Sequence, residues 1–82
     1  MTKVTVYRTI YCPFCDAAER YLDQKGVSFE CIDVSDPEDK MALKTRTGWR
    51  TVPQIFIDGE LIGGYQEMLA LDRTGELDQK LA

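Results

Sequence analysis

The sequence predicts an α/β fold with the element order βαβαββα, in which helices flank a four-stranded mixed sheet. Strand-like and helix-like patterns alternate along the first half of the chain, and Asp58-Gly59 between two short apolar runs is a strong hairpin signal. Two parallel strands joined by a helix require a right-handed crossover, so we expect the first two strands in one sheet. The 82 residues show no internal repeat or linker, and we therefore expect one domain over residues 1–82.

The first strand and the helix after it have clear signals. Residues 4–7 combine β-branched and aromatic side chains, which favour a strand. In the following segment Cys12 stands where a helix N-cap would, Pro13 suits the first helical position, and apolar residues recur at helical spacing over residues 14–22. We expect Gly26 to end this helix.

A second strand and a second helix follow the same scheme. Residues 28–34 are expected to form the strand. Asp36 then offers an N-cap side chain and Pro37 a first-turn proline, and Gly48 closes the helix.

The second half of the chain predicts a hairpin and a last helix. Residues 54–57 and 60–62 flank the Asp-Gly turn as two antiparallel strands. A helix is expected over residues 65–72, followed only by a frayed turn through Leu77 and Leu81.

Composition limits the location and the classes of partner. The formal net charge of −4 argues against a nucleic-acid partner, which requires Lys and Arg clustered over a broad face. No apolar run is long enough to cross a bilayer and no export signal is visible, so we expect no membrane partner. Three cysteines are an odd number and do not suit a framework of paired structural disulfides. The thiols are therefore expected in a reducing compartment, and we expect the cytoplasm.

One local cationic patch interrupts this acidic chain. No Asp or Glu occurs between Lys40 and Ile57, whereas four cations fall in that stretch. Two of them, Lys44 and Arg46, are equally well explained as complements to the dipole at a helix C-terminus. The other two, Lys40 and Arg50, are candidates for binding an anion.

The cysteine pair is the main candidate for chemistry. Two cysteines three positions apart face the same side of a helix, so Cys12 and Cys15 can form a small disulfide ring that opens readily. The unpaired amides and the dipole at the helix start favour an anionic Cys12 sulfur, which lowers the pKa of the thiol from about 8.5 toward roughly 3.5 to 7.5. Cys15, one turn later, should keep its proton longer. Asp16 in the first turn opposes the shift and is expected to reduce it without reversing it.

A metal site is the alternative interpretation of this pair. Zinc would need two further ligands, but the chain has no histidine and its third cysteine, Cys31, belongs to another element. We therefore expect no metal. Cys31 itself is interpreted as a small strand side chain, with a redox role as the less favoured alternative.

Two further motifs suggest a binding groove beside the thiol. A proline that precedes a strand cannot donate to the sheet, and we hypothesise that the Val52-Pro53 bond is cis and turns the Val52 backbone toward an extended peptide. Gly63-Gly64 leads into a helix whose first amides can receive a carboxylate. Together with Lys40 and Arg50, these features suit a small dianionic peptide thiol.

Three motifs occur along the chain in the following order: Cys12-Pro13-Phe14-Cys15, the segment Thr51-Val52-Pro53-Gln54-Ile55-Phe56-Ile57-Asp58-Gly59, and Gly63-Gly64. With these motifs in this order, the chain resembles the dithiol glutaredoxins of the bacterial type. The resemblance implies the thioredoxin fold, a cis proline at Pro53, Cys12 as nucleophile and Cys15 as resolving thiol. It also implies glutathione as reductant and co-substrate, held by Arg8, Tyr11, Lys40, Arg50, Thr51, Val52, Pro53, Gly64, Tyr65 and Gln66.

The chain departs from the family pattern at three positions. Thr9 stands where a lysine is common, Phe14 replaces the tyrosine between the cysteines, and Gln66 replaces the usual aspartate. We therefore expect weaker binding of glutathione than in typical members.

The resemblance implies thiol-disulfide exchange on disulfide-containing or glutathionylated proteins, with ribonucleotide reductase as a candidate client and a monomer as the expected state. One alternative is a thioredoxin-like donor that a flavin reductase reduces. Another is an iron-sulfur carrier in which Cys12 of two chains and two glutathiones hold a [2Fe-2S] cluster.

Overall fold

A computed structural model describes residues 2–82 of the chain. In chain order the elements are β1 (Val4–Arg8), α1 (Pro13–Gln24), β2 (Glu30–Asp33), α2 (Pro37–Thr47), β3 (Gln54–Ile57), β4 (Glu60–Gly63), α3 (Tyr65–Thr74) and α4 (Glu76–Leu81). Within these residues no helix combines the length and the apolar character needed to span a bilayer.

The four strands form one mixed sheet in the order β2-β1-β3-β4. β1 pairs in parallel with β2 and antiparallel with β3, and β3 pairs antiparallel with β4. The β3–β4 turn has Asp58 and Gly59 at φ of 52° and 84°, the positive values that a two-residue hairpin turn of this type requires. The predicted fold class and the predicted hairpin are thus confirmed.

The core lies between the sheet and helices α1 and α3. Alternation along β1 directs Val4 and Val6 to this face, where they meet a buried set completed by Ala18, Leu22, Ile55, Ile57, Met68 and Leu77. The opposite face carries Tyr7, which packs edge-on against Phe56 at 5.4 Å between ring centroids. From α2, the Arg46 guanidinium lies 5.5 Å from the centre of the Tyr7 ring.

The C-terminal end of α1 is anchored to the last two helices. Lys25 Nζ lies 2.9 Å from Asp72 Oδ1 and 3.0 Å from Asp78 Oδ1, and the Tyr21 hydroxyl also donates to Asp72. These contacts, the tyrosine first and the lysine second, lower the pKa of the Asp72 carboxyl. These contacts join α1 to α3 and α4.

Several predicted boundaries were wrong. β2 covers only Glu30–Asp33, because its partners on β1 begin at Thr5 and end at Arg8. α3 continues to Thr74, where Gly75 in the left-handed conformation ends it. The expected frayed turn is helix α4, which forms because Leu77 is completely buried in the core.

Candidate active site

Cys12 and Cys15 form a disulfide at the start of α1. Cys12 is the N-cap residue, with extended backbone angles, and Pro13 follows in the first turn. The Cys15 amide donates to Cys12 Sγ at 3.1 Å. The predicted N-cap position is thereby confirmed, and the sulfur itself occupies the site that a capping oxygen takes in other helices.

The two sulfurs differ in access to solvent. Cys12 is 8% exposed, whereas Cys15 is completely buried beneath the first turn. An incoming disulfide can therefore approach Cys12 but not Cys15. This asymmetry suits an attacking thiol and an internal thiol that acts second.

The loop before β3 reaches the disulfide through its backbone. The Val52-Pro53 peptide bond is cis, in agreement with the sequence-based hypothesis. The Val52 carbonyl oxygen lies 3.8 Å from Cys12 Sγ. A main-chain carbonyl of this loop thus lies directly beside the sulfur of Cys12.

A groove of about 350 Å³ opens beside the cysteine pair, between this loop and the start of α3. Six residues that the family resemblance implied line it together, which means that the structure assembles most of the implied site. The complete lining is Phe14, Trp49, Thr51, Val52, Pro53, Gly64, Tyr65, Gln66 and Glu67.

The start of α3 requires glycine at position 63 and leaves little space for a side chain at position 64. Gly63 has φ of +115°, and a Cβ there would lie 2.8 Å from Glu67 Cβ. A Cβ on Gly64 would lie 3.3 Å from the carbonyl oxygen of Pro53. Glu67 Oε1 accepts from the Gly64 amide at 3.0 Å, so one of the amides expected to receive a ligand carboxylate already has a partner.

The next two amides of α3 remain available to a ligand. The first intrahelical hydrogen bond runs from the Met68 amide to the Gly64 carbonyl at 3.0 Å. The amides of Tyr65 and Gln66 precede it and have no acceptor within the helix. Both residues line the groove, so a carboxylate lying there would meet two N–H groups at the positive end of the helix dipole.

Arg8 does not line the groove. Its guanidinium is held by α1, with 2.8 Å to Asp16 Oδ1 and 2.7 Å to Glu19 Oε2, and its Nε donates to the Thr9 carbonyl. The pKa of Arg8 is raised, chiefly by the hydrogen bond to Glu19. The structure thus separates Arg8 from the residues that the resemblance grouped with it.

Three other implied residues also lie outside the groove lining. Tyr11, next to Cys12, is 91% exposed, while Lys40 on α2 and Arg50 before the cis bond are exposed as well. Tyr11 belongs with Ile10 and Phe14 to an exposed apolar rim around the cysteine pair. The cations and the rim can therefore meet only a ligand or partner that extends beyond the groove.

Cys31 lies on a strand beside a carboxylate, whereas Cys12 lies at a helix start beside an amide. It is exposed on β2, and its thiol donates to Glu19 Oε2 at 2.9 Å. Partial desolvation and this hydrogen bond raise the pKa of Cys31 to about 11. A thiol in this setting stays protonated at neutral pH, which agrees with its interpretation as a strand side chain.

Sequence reasoning missed Trp49 and Glu67 as lining residues. Trp49 is a single aromatic residue in a loop, and nothing in its spacing marks it. The completely enclosed Gln54 side chain donates from Nε2 to the Trp49 carbonyl at 2.9 Å and thereby holds the loop in place. Glu67 carried a usable signal, because an acid three residues after an N-cap is typical of a capping box.

Within residues 2–82, no three or more His, Cys, Asp or Glu side chains form a group that could hold a metal ion. The site combines a cysteine pair, a backbone edge and a helix N-terminus. Such a set is suited to exchange at sulfur and to the binding of a small anionic peptide.

Comparison with known proteins agrees with this chemistry. The family model described as Glutaredoxin matches residues 4–62. Glutaredoxin 3 of Escherichia coli K12 is 42% identical over 82 residues, covering 99% of both chains. The glutaredoxin of Pseudomonas aeruginosa is 40% identical over 83 residues, covering 100% of this chain and 99% of the relative.

Solved structures give the same result. A crystal structure of a buckwheat glutaredoxin-glutathione complex superposes with a TM-score of 0.88 at 32% identity, covering 98% of this chain and 76% of the other. The solution structure of a glutaredoxin from Brucella melitensis gives a TM-score of 0.86 at 39% identity, covering 99% of this chain and 89% of the other.

Proposed function

Since this chain belongs to the glutaredoxin family of thiol-disulfide oxidoreductases, we propose that it uses glutathione to reduce protein disulfides and mixed disulfides of glutathione. The observation that carries the proposal is the position of Cys12 Sγ, which accepts the Cys15 amide at 3.1 Å and lies beside a groove with a backbone edge. A sulfur in that position is stabilised as an anion, which is the form that attacks disulfides.

The proposed reaction begins with the Cys12 thiolate. On a glutathionylated protein it attacks the glutathione sulfur, forms a Cys12-glutathione disulfide and releases the protein thiol. A second glutathione, as thiolate, then attacks this disulfide, so that oxidised glutathione leaves and the Cys12 thiolate returns. Cys15 takes no part in this route.

The route for a protein disulfide requires both cysteines. Cys12 attacks one sulfur and forms a mixed disulfide with the client protein. The Cys15 thiol, buried below it, loses its proton and attacks Cys12 Sγ, which releases the reduced client and leaves the Cys12–Cys15 disulfide. Two glutathione molecules then reduce this disulfide and leave as oxidised glutathione.

The groove supports glutathione as the ligand. Thr51, Val52 and Pro53 offer the backbone edge, on which an extended peptide can make main-chain hydrogen bonds. At the other wall, the amides of Tyr65 and Gln66 can receive a carboxylate. The neighbour from buckwheat, a glutaredoxin-glutathione complex, adds support because its fold superposes over 98% of this chain.

A coupled assay tests the proposal. The purified protein is given a glutathionylated peptide with glutathione, glutathione reductase and NADPH, and NADPH consumption is followed. The matched reaction replaces glutathione and its reductase by thioredoxin reductase. We expect turnover only in the first reaction. Turnover only in the second would replace the proposal by a thioredoxin-like donor.

The clients and the setting of the protein belong to the same proposal. Disulfide-containing and glutathionylated proteins are the proposed partners, and ribonucleotide reductase, the cytoplasm and the monomeric state stay predictions. The variant Cys15→Ser should trap clients as mixed disulfides with Cys12, since the second attack is then missing. Mass spectrometry of the trapped species would identify the clients.

A further inference from the structure

A cluster of four side chains lies behind the first turn of α1, and we call it the Arg8 cluster. Arg8 at the end of β1 is bound to Asp16 and Glu19 of α1 at 2.8 and 2.7 Å. Cys31 on β2 donates to the same oxygen of Glu19 at 2.9 Å. Arg8 is 18% exposed and Glu19 21%, so the ion pair between them is only partly open to solvent.

The cluster adjoins the turn that holds the reactive sulfur. Asp16 directly follows Cys15, and its amide donates to the Cys12 carbonyl at 3.0 Å as the first hydrogen bond of α1. A negative charge on this turn raises the pKa of a nearby thiol, because it opposes formation of a second anion. Arg8 brings one positive charge against two negative ones, so its removal would double the net negative charge of the cluster.

We propose that Arg8 is a positioning residue for the exchange reaction: by holding and neutralising Asp16, it lets the terminal amides of α1 keep Cys12 as an anion. This inference rests on the proposed function, because it concerns the acidity of the proposed nucleophile. It also assigns Arg8 a role other than contact with glutathione. All three guanidinium nitrogens of Arg8 already have protein acceptors, namely Thr9, Asp16 and Glu19.

The test is a cycle of four reduced proteins: wild type, Arg8→Met, Asp16→Asn and the double variant. Each is alkylated with iodoacetamide as a function of pH, and the product at Cys12 is quantified by mass spectrometry of the peptide. The other charged groups at this end of the molecule stay constant throughout, namely Asp33 on β2, Lys40 on α2, Arg50 before the cis bond and Glu67 on α3.

Arg8→Met should raise the midpoint of Cys12 alkylation by about half a pH unit, the order of magnitude for one screened charge at this range. Asp16→Asn alone should lower it. The double variant should return close to the wild-type midpoint, because the net charge of the cluster is then again −1. Higher salt should reduce the shifts of both single variants.

The matched control combines Arg8→Met with Asp23→Asn. Asp23 is exposed near the other end of α1, so the same charge is removed far from Cys12 and no rescue is expected. Equal midpoints in all four proteins, or equal rescue by Asp23→Asn, would overturn the proposal. If Arg8→Met fails to fold, Asp16→Asn still tests the proposal. A midpoint of Cys12 alkylation equal to that of the wild type in this variant would overturn it.

This experiment separates the inference from the proposed function. Alkylation requires neither glutathione nor a client. If the wild-type midpoint is low and Arg8→Met does not change it, only the proposed role of Arg8 is contradicted. A wild-type midpoint near that of an ordinary thiol, about 8.5, contradicts the thiolate on which the proposed function depends.

Discussion

The first turns of α1 and α2 have the same construction but differ in the chemical group that caps them. Each begins with a capping residue followed by proline, Cys12-Pro13 in one and Asp36-Pro37 in the other. Asp36 Oδ1 accepts the Glu38 amide at 2.9 Å, and Cys12 Sγ accepts the Cys15 amide at 3.1 Å. The same position at a helix start therefore holds a carboxylate in one case and a sulfur in the other.

An N-cap that is ordinarily structural becomes reactive when its side chain is a thiol. A carboxylate cap is a permanent anion that only stabilises its helix, whereas a sulfur cap can be an anion or one partner of a disulfide. The neighbouring acids differ too. Those of the first turn of α2 have no arginine bound to them among the described contacts, whereas Asp16 of α1 is paired with Arg8.

Replacing the sulfur of the α1 cap should change the activity more than any other substitution. Cys12→Ser should reduce both proposed reactions to the background rate, because a hydroxyl is not an anion at neutral pH. Cys15→Ser should abolish reduction of protein disulfides but keep the glutathionyl route within roughly an order of magnitude. The coupled assay with each substrate measures the split.

The corresponding change on α2 is the control. Asp36→Ser alters the cap of α2 and should leave both reactions unchanged. Equal loss in Cys12→Ser and Cys15→Ser on the glutathionylated peptide would contradict the division of labour between the two cysteines.

The second prediction compares Cys12 with Cys31, a thiol that lies on a strand and not at the start of a helix. The pKa of Cys31 is raised to about 11, so this thiol stays protonated and slow to react through neutral pH. Cys12 in the reduced protein should be alkylated with a midpoint below about 8.5, and the two sites should therefore separate by more than about two pH units. Alkylation of both sites against pH, read by mass spectrometry, measures the difference.

Glu19→Gln tests the second of the two causes that raise the pKa of Cys31. It removes the carboxylate that accepts from Cys31 and should lower the midpoint of Cys31 part of the way toward the ordinary thiol value, because the desolvation, which is the larger cause, remains. If the midpoint of Cys31 did not move, the Glu19 carboxylate would contribute nothing to its low reactivity.

A smaller effect concerns stability at the carboxylate cap. Asp36→Ala should lower the free energy of unfolding by about 1 kcal/mol, the typical loss for an N-cap aspartate, with activity unchanged. Denaturant titration of the oxidised protein measures it. Asp36→Asn should recover most of the loss, and an equally unstable Asp36→Asn variant would show that the hydrogen bond is not what stabilises the helix.

The last prediction concerns the stability of the protein when the sulfur cap of α1 is replaced by a carboxylate. Cys12→Asp and Cys12→Ala both lack the disulfide, but the aspartate can still accept the amides at the start of α1. We expect Cys12→Asp to be more stable by about 0.5 kcal/mol, at the low end for N-caps because Asp16 is a nearby like charge. Denaturant titration at pH 7 compares them, and equal stability would mean that this position is not built for an anion.

Local signals predicted most of the fold and the reactive pair. The N-cap at Cys12, the first-turn prolines and the Asp58-Gly59 hairpin depend on a few consecutive residues, and the structure confirms each of them. The relation of sulfur and amide at Cys12 follows from the N-cap position alone. For this reason the central chemistry could be predicted without tertiary information.

The errors and omissions arise from contacts between distant residues. Helix α4 was missed because its short segment has little periodic pattern, and Leu77 is fixed by burial against the core. The partners of Arg8 could not be predicted, because an ion pair between a strand end and a neighbouring helix has no fixed spacing. Trp49 lines the groove and its carbonyl accepts a hydrogen bond from the buried Gln54 side chain, a contact that no local rule indicates.

The close approach of Gly64 to the carbonyl of Pro53 has a consequence for altering this protein. At this point the two walls of the groove approach each other through main-chain atoms, and a methyl group on Gly64 would lie 3.3 Å from the Pro53 carbonyl oxygen, closer than most such contacts. This approach involves none of the side chains of Gln66 or Trp49, which line the same groove. Those two positions can therefore be exchanged to alter the proposed ligand preference without adding an atom at the point of closest approach.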